Sequence, residues 1–208
     1  MALVKYNNNS ISDVTELAGV PSGALVHIKT LTASSSSTIS FIDGSSSVVF
    51  DNTYPVYFIK FISVHPETND QPLTFQGSTT TDGSNFSTTI TSTHFEALVR
   101  ENNSSPSVNY QSSQDLSQST NFQYIQKDFG NDDDQNGSGT LFIFNPSSTT
   151  FVKHFMGQSV NSHDIDLSMH AFQAGYFNTT SAITGIQFKF TSGNIDTGTF
   201  KLYGIKDS

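Results

Sequence analysis

Hydrophobic and polar residues alternate one by one along several short stretches of the chain. The clearest stretch lies near the C-terminus, where Ile186, Phe188 and Phe190 alternate with Gln187 and Lys189. Successive side chains of a β-strand point to opposite faces of its sheet, so this pattern predicts a strand with one buried and one solvated face. No stretch shows the sustained 3.6-residue period of an amphipathic helix. The chain is therefore predicted to consist of strands and loops.

Turn-forming residues divide the rest of the sequence into roughly ten further segments of this kind. Asp43-Gly44 and Pro146-Ser147-Ser148 are typical of hairpin turns. The spacing predicts an all-β fold, an antiparallel β-sandwich of jelly-roll type, with an immunoglobulin-like topology as the alternative. We expect a single domain over residues 24–208 with a long surface loop at 103–119. The predicted strands are 24–32, 38–42, 47–50, 54–64, 73–78, 94–100, 122–126, 140–145, 151–160, 164–176, 183–191 and 199–206.

Two of the predicted strands are apolar on both faces. In residues 54–64 one face carries Val56, Phe58, Ile62 and Val64, and the other carries Tyr57, Ile59 and Phe61. In residues 151–160, Phe151 and Phe155 lie opposite Val152, Met156 and Val160. The outer face of a lone sandwich is solvated, so these strands predict a second covering layer. That layer is either a loop or the N-terminal arm, or another copy of the chain in a cyclic oligomer.

The composition excludes several classes of protein. The 208 residues include 9 Lys+Arg against 18 Asp+Glu, a net charge of −9, and no cysteine. The lack of cysteine excludes disulfide scaffolds, thiolate metal sites and cysteine nucleophiles. The acidic balance argues against a nucleic-acid partner or an anionic membrane surface. The apolar N-terminal run stops at Lys5 and no stretch reaches the length of a membrane span, so we expect a soluble protein without a signal peptide or membrane insertion.

One acidic loop matches part of a calcium-binding pattern. Asp132, Asp134, Asn136 and Gly137 fit the first half of the sequence D-x-[DN]-x-[DN]-G, whose alternating oxygen ligands suit a hard cation. The closing bidentate Glu of that pattern is replaced by Ile143. A solvated acidic loop is therefore the favoured interpretation, and Asp132, Asp134 and Asn136 form a weak calcium candidate.

Catalytic residue types occur together in residues 164–176, where Asp164, Asp166, Ser168 and His170 share one face of a predicted strand. Same-face neighbours on a strand lie roughly 7 Å apart, beyond hydrogen-bond reach, so a Ser/His/Asp triad is not expected. No G-x-S-x-G nucleophile elbow is present. We predict that the protein is not an enzyme and has no catalytic residues and no organic cofactor.

Sugar binding is the remaining small-molecule hypothesis. Jelly rolls often present carbohydrate sites, but this chain has no tryptophan, the strongest stacking group. Tyr110, Tyr124 and Tyr176 are the available substitutes. The favoured alternative is that these tyrosines cover subunit contacts or the edges of the core.

The C-terminal third carries a longer sequence pattern. An alternating strand at 183–190 is followed by S-G-N-I-x-x-G-T at 192–199 and F-x-L-Y-G-I-K at 200–206. This pattern resembles the closing hairpin of a widespread group of structural proteins of tailed bacteriophages. The segment Leu141–Phe155 is similar to the same group, and Met1–Tyr6 and Ile11–Gly23 resemble versions found in phages of marine bacteria, including cyanophages.

The resemblance implies a non-enzymatic virion structural protein that is assembled in the host cytoplasm and displays a β-sandwich on the particle. Our first expectation is a capsid decoration protein, a homotrimer whose N-terminal arm, residues 1–23, anchors it to other virion proteins through backbone hydrogen bonds at a sheet edge. The arm residues expected to be buried on that partner are Leu3, Val4, Ile11, Val14 and Leu17. The alternative is a tail or fibre component that binds host-surface glycans through the loops at 103–119 and 131–137.

Overall fold

The computed structural model describes residues 24–163 and 165–207. The predicted arm and its five partner-binding residues lie outside this described part. All of the regular secondary structure in the described part is β-strand, and every strand pairing is antiparallel, so the all-β prediction is confirmed. The strands are β1 Leu25–Ser36, β2 Ile39–Ile42, β3 Val56–Pro66, β4 Gln71–Ser78, β5 Ile90–Arg100, β6 Ser107–Tyr110, β7 Gln123–Phe129, β8 Gly137–Phe144, β9 Lys153–His163, β10 Leu167–Phe177, β11 Gly185–Phe190 and β12 Ile195–Ile205.

The strands form one long sheet that folds back on itself and nearly closes. Its first layer runs in the order β1-β12-β3-β8-β9-β10-β5-β6, and its second layer runs β7-β4-β11-β2. The layers are joined at a corner where β7 pairs with β9 through Phe129 and His163. Within the described residues no helix is long and apolar enough to cross a bilayer.

Phenylalanine side chains fill the space between the two layers. Phe75 of β4 packs edge-on against Phe155 of β9, with ring centroids 5.1 Å apart. Phe41, Phe61, Phe75, Phe129, Phe177, Phe188 and Phe200 are all fully buried. Each buried ring removes a large apolar area from water, so these residues contribute a large share of the hydrophobic stabilisation of a chain that has no cysteine.

A β-bulge in β3 changes which side chains reach the core. Ser63 has a positive φ of 49°, and the register with β8 shifts between Phe61 and Val64. The extra residue reverses the alternation, because two residues of the bulged strand oppose one on its partner. Val64 is therefore fully buried on the same side as Phe61, and its predicted placement beside Phe58 was wrong.

Three local predictions require correction. β11 and β12 do not pair with each other: β11 lies between β4 and β2, and β12 lies between β1 and β3. The residues 183–206 thus cross between layers instead of forming a hairpin. Residues 47–50 form no strand, although Val48 and Phe50 are buried. The predicted loop at 103–119 contains the short strand β6. By contrast, the predicted hairpin of β8 and β9 is confirmed.

Candidate functional site

The outer face of β5, β6, β9 and β10 is unusually apolar, and we call it the flank face. Its most exposed hydrophobic side chains are Phe95 at 43%, Val108 at 72%, Tyr110 at 56%, Met156 at 52% and Val160 at 48%. None of the outward-facing positions of these four strands, which all lie in the described part of the chain, is Asp, Glu, Lys or Arg. A solvated sheet face normally carries charged residues, so the flank face lacks the usual protection against association.

Cross-strand ring contacts order the flank face. Tyr110 of β6 pairs with Phe95 of β5. Phe95 stacks on Phe172 of β10 with centroids 4.9 Å apart and an interplanar angle of 13°, and His170 lies 4.1 Å from Phe172. Side chains held in stacked pairs lose little additional freedom on association, which favours a rigid contact surface.

A second ring ladder extends the apolar surface over β8, β3 and β12. Phe142 of β8 is paired with Met156 of β9 and stacks on Phe58 of β3 at 4.7 Å, and Phe58 contacts Tyr203 of β12 at 5.8 Å. These rings are half-buried because they cover one another. Neighbouring rings of the same sheet thus cover part of the outer side of residues 54–64, which the sequence predicts to need cover. Met156 and Val160, on the other strand predicted to need cover, stay exposed.

A polar groove lies on the outer side of the second layer, under the loop 111–122. Its volume is about 390 Å³. We call it the loop groove. Its lining residues are Thr74, Ser113, Gln114, Asp115, Leu116, Thr120, Asn121, Phe122, Tyr124, Lys189 and Thr191.

The three tyrosines proposed for sugar binding occupy different places. Tyr124 lines the loop groove. Tyr110 lies on the flank face and donates its hydroxyl proton to Asp115, which also lines the groove. Tyr176 lies on the outer face beside His154, with ring centroids 6.1 Å apart. The fold therefore brings two of the three to the groove or its border.

The core side of the first layer changes from apolar to polar along one row of paired residues. The row passes from Ile59 through Leu141 and Gly157 to Gln173 and His94. Both polar residues at its end are buried. The interior beneath β5 and β10 is therefore a polar compartment, unlike the phenylalanine core beneath β3 and β12.

Five ionisable side chains form a chain from this compartment to the surface. His94 Nε2 lies 3.5 Å from Glu96 Oε1, and Glu96 Oε2 lies 3.6 Å from Lys127 Nζ. Lys127 Nζ is also 3.6 Å from Asp128 Oδ2, which lies 3.2 Å from His163 Nε2. His94 and Glu96 are fully buried, whereas Lys127 and Asp128 are partly exposed. The ammonium of Lys127 thus compensates a carboxylate that water does not reach.

Asp70, Asp128 and His163 are the one group of three acidic or histidine side chains in the described residues whose ligand atoms lie within 4.8 Å of one another. Its hydrogen bonds do not favour a metal ion. The backbone N–H of Ile165 donates to His163 Nδ1, so a neutral imidazole carries its proton on Nε2, where it faces Asp128. The nitrogen that would bind a metal is therefore a donor here.

The same contacts set the titration of Asp128. Burial alone would raise the pKa of this carboxyl, but the hydrogen bond from His163 and the positive charge of Lys127 outweigh burial and hold the pKa below its ordinary value of 3.8. No motif marked these residues in the sequence, because the contacts join β5, β7 and β9. The one local signal is the charged pair Lys127-Asp128 directly after the predicted strand 122–126.

The acidic loop predicted as a calcium candidate is a surface turn between β7 and β8. Asp132, Asp134 and Asn136 are exposed. Backbone groups hold the turn: Gln135 N–H donates to Asp132 O at 2.8 Å, and Asn136 N–H donates to Ser162 Oγ at 3.0 Å. The three side chains contribute to no cluster of potential acidic and histidine ligands in the described residues. Calcium binding here stays a prediction.

The polar residues considered for catalysis do not converge. Ser168 and His170 lie on the outer side of β10 and alternate with the buried Leu167 and Met169. His170 packs on Phe172. Asp166 lies in the turn before β10, and Asp164 lies outside the described residues. This strand offers a stacking surface and no assembled nucleophile.

Comparison with known proteins adds no functional assignment. No protein-family model matches this chain, and neither a curated protein nor a solved structure is significantly similar to it.

Proposed function

We propose that this protein is a non-enzymatic structural component of a tailed-phage particle, a capsid decoration protein that assembles as a homotrimer. The observation that carries the proposal is the flank face, an uncharged and apolar outer surface on a chain of net charge −9. The sequence resemblance to phage virion proteins supplies the biological setting.

The size of the flank face suits a contact between copies. The three strands of 11 residues, β5, β9 and β10, extend for roughly 36 Å and occupy about 15 Å of width, and the four-residue strand β6 adds a short edge. This gives a plan area of about 500 Å², at the upper end of what monomers expose. The ring ladder on β8 and β3 widens the surface toward the ~800 Å² per partner of a standard interface.

Charge distribution favours a second copy as the partner. Two chains that each carry nine excess negative charges repel one another at most surfaces. The strands of the flank face bear no outward carboxylates, and the one at its border, Asp115, is bound by the hydroxyl of Tyr110. Copies can therefore approach over most of the face without burying like charges. The adjoining edge strand β6 pairs with β5 on one side and shows no second partner strand in the described residues, which leaves backbone groups available for a neighbour.

The oligomeric state tests the assembly step. Light scattering of the purified full chain should give three times the chain mass of 22.6 kDa. Val160→Glu, at an exposed flank position, should yield a folded monomer, and Leu25→Glu, at an exposed position on β1, should leave the trimer unchanged. A folded wild-type monomer at all concentrations would contradict the proposal.

Analysis of phage particles tests the proposed location of the protein on the virion. Mass spectrometry of purified particles of the phage that encodes the chain should detect it, and a reconstruction should place it on the capsid surface. Its absence from the particles would overturn the virion assignment, and a position on the tail would replace decoration by the tail or fibre role.

A further inference from the structure

The loop groove lies outside the flank face and borders it at the hydrogen bond from Tyr110 to Asp115. It lies on the outer side of β4, β7 and β11, whereas the flank face belongs to β5, β6, β9 and β10. Aromatic rings, amides and hydroxyls line it together. We propose that the loop groove is a carbohydrate-binding site that takes one or two sugar units of a neutral glycan. This inference goes beyond the structural role proposed above.

Buried hydrogen bonds hold the groove wall in place. Gln123 is fully buried and donates from Nε2 to the backbone oxygens of Gln114 and Tyr124, each at 2.9 Å. Ser92 donates to Gln123 Oε1 and accepts the N–H of Leu116 at 2.8 Å. These contacts tie the middle of the loop 111–122 to β5 and β7. The wall is therefore formed before a ligand arrives, which reduces the entropy cost of binding.

One groove residue has a hydrogen-bond acceptor that the described residues do not satisfy. Gln114 is 3% exposed and lines the groove, and its Oε1 receives no hydrogen bond from the described residues. Buried amide oxygens are almost always paired. This oxygen has essentially no solvent-accessible surface of its own, so a sugar hydroxyl in the groove reaches it only after the side-chain amide of Gln114 rotates. Binding would then satisfy an acceptor that is costly to leave unpaired.

The mixture of lining groups selects a neutral polyhydroxyl ligand. Tyr124 offers a half-buried ring, and rings of this kind pack on the apolar C–H face of a sugar. Asp115 and Asn121 offer acceptors, and Asn121 also offers donors, for ligand hydroxyls. Lys189 is the single cation of the groove, and its Nζ already lies 4.2 Å over the ring of Phe122. The positive charge of Lys189 and the negative charge of Asp115 cancel, so the groove exerts no net electrostatic attraction on an anionic glycan.

Nuclear magnetic resonance of the isotope-labelled full chain tests the site. The probes are methyl glycosides of glucose, galactose, mannose and N-acetylglucosamine, and glucuronic acid represents acidic sugars. We expect at least one neutral glycoside to shift amide signals of residues 111–122 in a saturable way. Absence of saturable shifts with every neutral glycoside, or binding of glucuronic acid alone, would overturn the proposal.

Amino-acid substitutions test whether the sugar binds in the loop groove. Tyr124→Ala should weaken the binding at least tenfold, while Tyr176→Ala, at a half-buried tyrosine on the opposite layer, should leave it unchanged. Asn121→Ala at an exposed position is the second test if Tyr124→Ala fails to fold, and it should weaken binding at least threefold. Equal binding by wild type and Asn121→Ala, or by wild type and folded Tyr124→Ala, would contradict the assignment. The monomeric Val160→Glu variant keeps the groove, so loss of assembly and loss of sugar binding are separate results.

Discussion

Phe188 on β11 and Phe200 on β12 lie with ring centroids 5.2 Å apart, although their strands share no hydrogen-bonded pair. The connection between them, residues 191–194, carries the chain from one layer to the other. Consecutive strands thus face each other across the core. This contact between layers, and not a hairpin ladder, is what the two alternating segments contribute to the fold.

Truncation of this ring pair should be strongly destabilising. Phe200→Ala removes a fully buried ring, and the expected loss of unfolding free energy is about 3–5 kcal/mol because a cavity is left between the layers. Urea unfolding followed by fluorescence or circular dichroism measures it. Phe151→Ala, at a ring that is 69% exposed, is the control, and its effect should stay within ~0.5 kcal/mol. Similar losses for both would show that the layers do not depend on this contact.

The Glu96–Lys127 contact predicts a non-additive pair of substitutions. Lys127→Met leaves the fully buried Glu96 carboxylate without its ammonium, which should cost about 3–5 kcal/mol. Combining it with Glu96→Gln removes the uncompensated charge and should restore most of that loss. A double-mutant cycle by urea unfolding measures the coupling. Additive effects of the two changes would mean that the pair does not interact.

Acid should destabilise the corner of β7 and β9 through Asp128. Its pKa is lower in the folded protein than its ordinary value of 3.8, so the ionised carboxylate stabilises the fold. That contribution is fully present above the unfolded-state pKa and is lost as the pH falls through the lower folded-state pKa.

Unfolding free energies measured from neutral pH down to about pH 2 should therefore decline less steeply below 3.8 in Asp128→Asn than in wild type. Asp133→Asn, in the exposed turn before β8, should keep the wild-type slope. An Asp128→Asn profile parallel to that of wild type would contradict the role of Asp128.

The bulge at Ser63 should tolerate glycine and reject a β-branched residue. Its φ of 49° lies in the left-handed region, which costs an L-residue roughly 1–2 kcal/mol and glycine very little. We expect Ser63→Gly to stay within ~0.5 kcal/mol of wild type, because relief of strain offsets the greater freedom of the unfolded chain. Ser63→Val should be less stable than wild type by the same measurement, because a β-branched side chain adds strain beyond the cost that Ser63 already bears. Equal stability of the two variants would argue against a left-handed residue at this position.

The sequence predicted the strands well and their partners poorly. β10 was recognised as a strand from the alternation of Leu167, Met169 and Ala171 with polar residues, because alternation is a local property. The failure at Val64 has an equally local cause, a single bulged residue that reverses the alternation. The side of the sheet that each residue faces cannot be extrapolated past such a bulged residue.

The candidate sites were predicted only in fragments. Met156 and Val160 were identified as an apolar face that needs cover, and both are exposed. Tyr124 was named as a possible sugar contact without any indication of a groove. The sequence does not predict the cluster of Glu96, Lys127, Asp128 and His163. Its contacts between strands join residues 31 and 35 positions apart in the chain, and such contacts depend on strand order.

By itself the sequence determined that this chain is a cysteine-free, strand-built protein with more apolar surface than one sandwich covers. Alternation and composition suffice for that, since each acts residue by residue. Only the tertiary structure decided that β11 and β12 separate into opposite layers, that the uncovered apolar surface collects on β5, β6, β9 and β10, and that the loop 111–122 closes a groove beside Tyr124. Those features depend on which distant strands share hydrogen bonds, and pairing is decided by the free energy of the whole fold and not by any single segment.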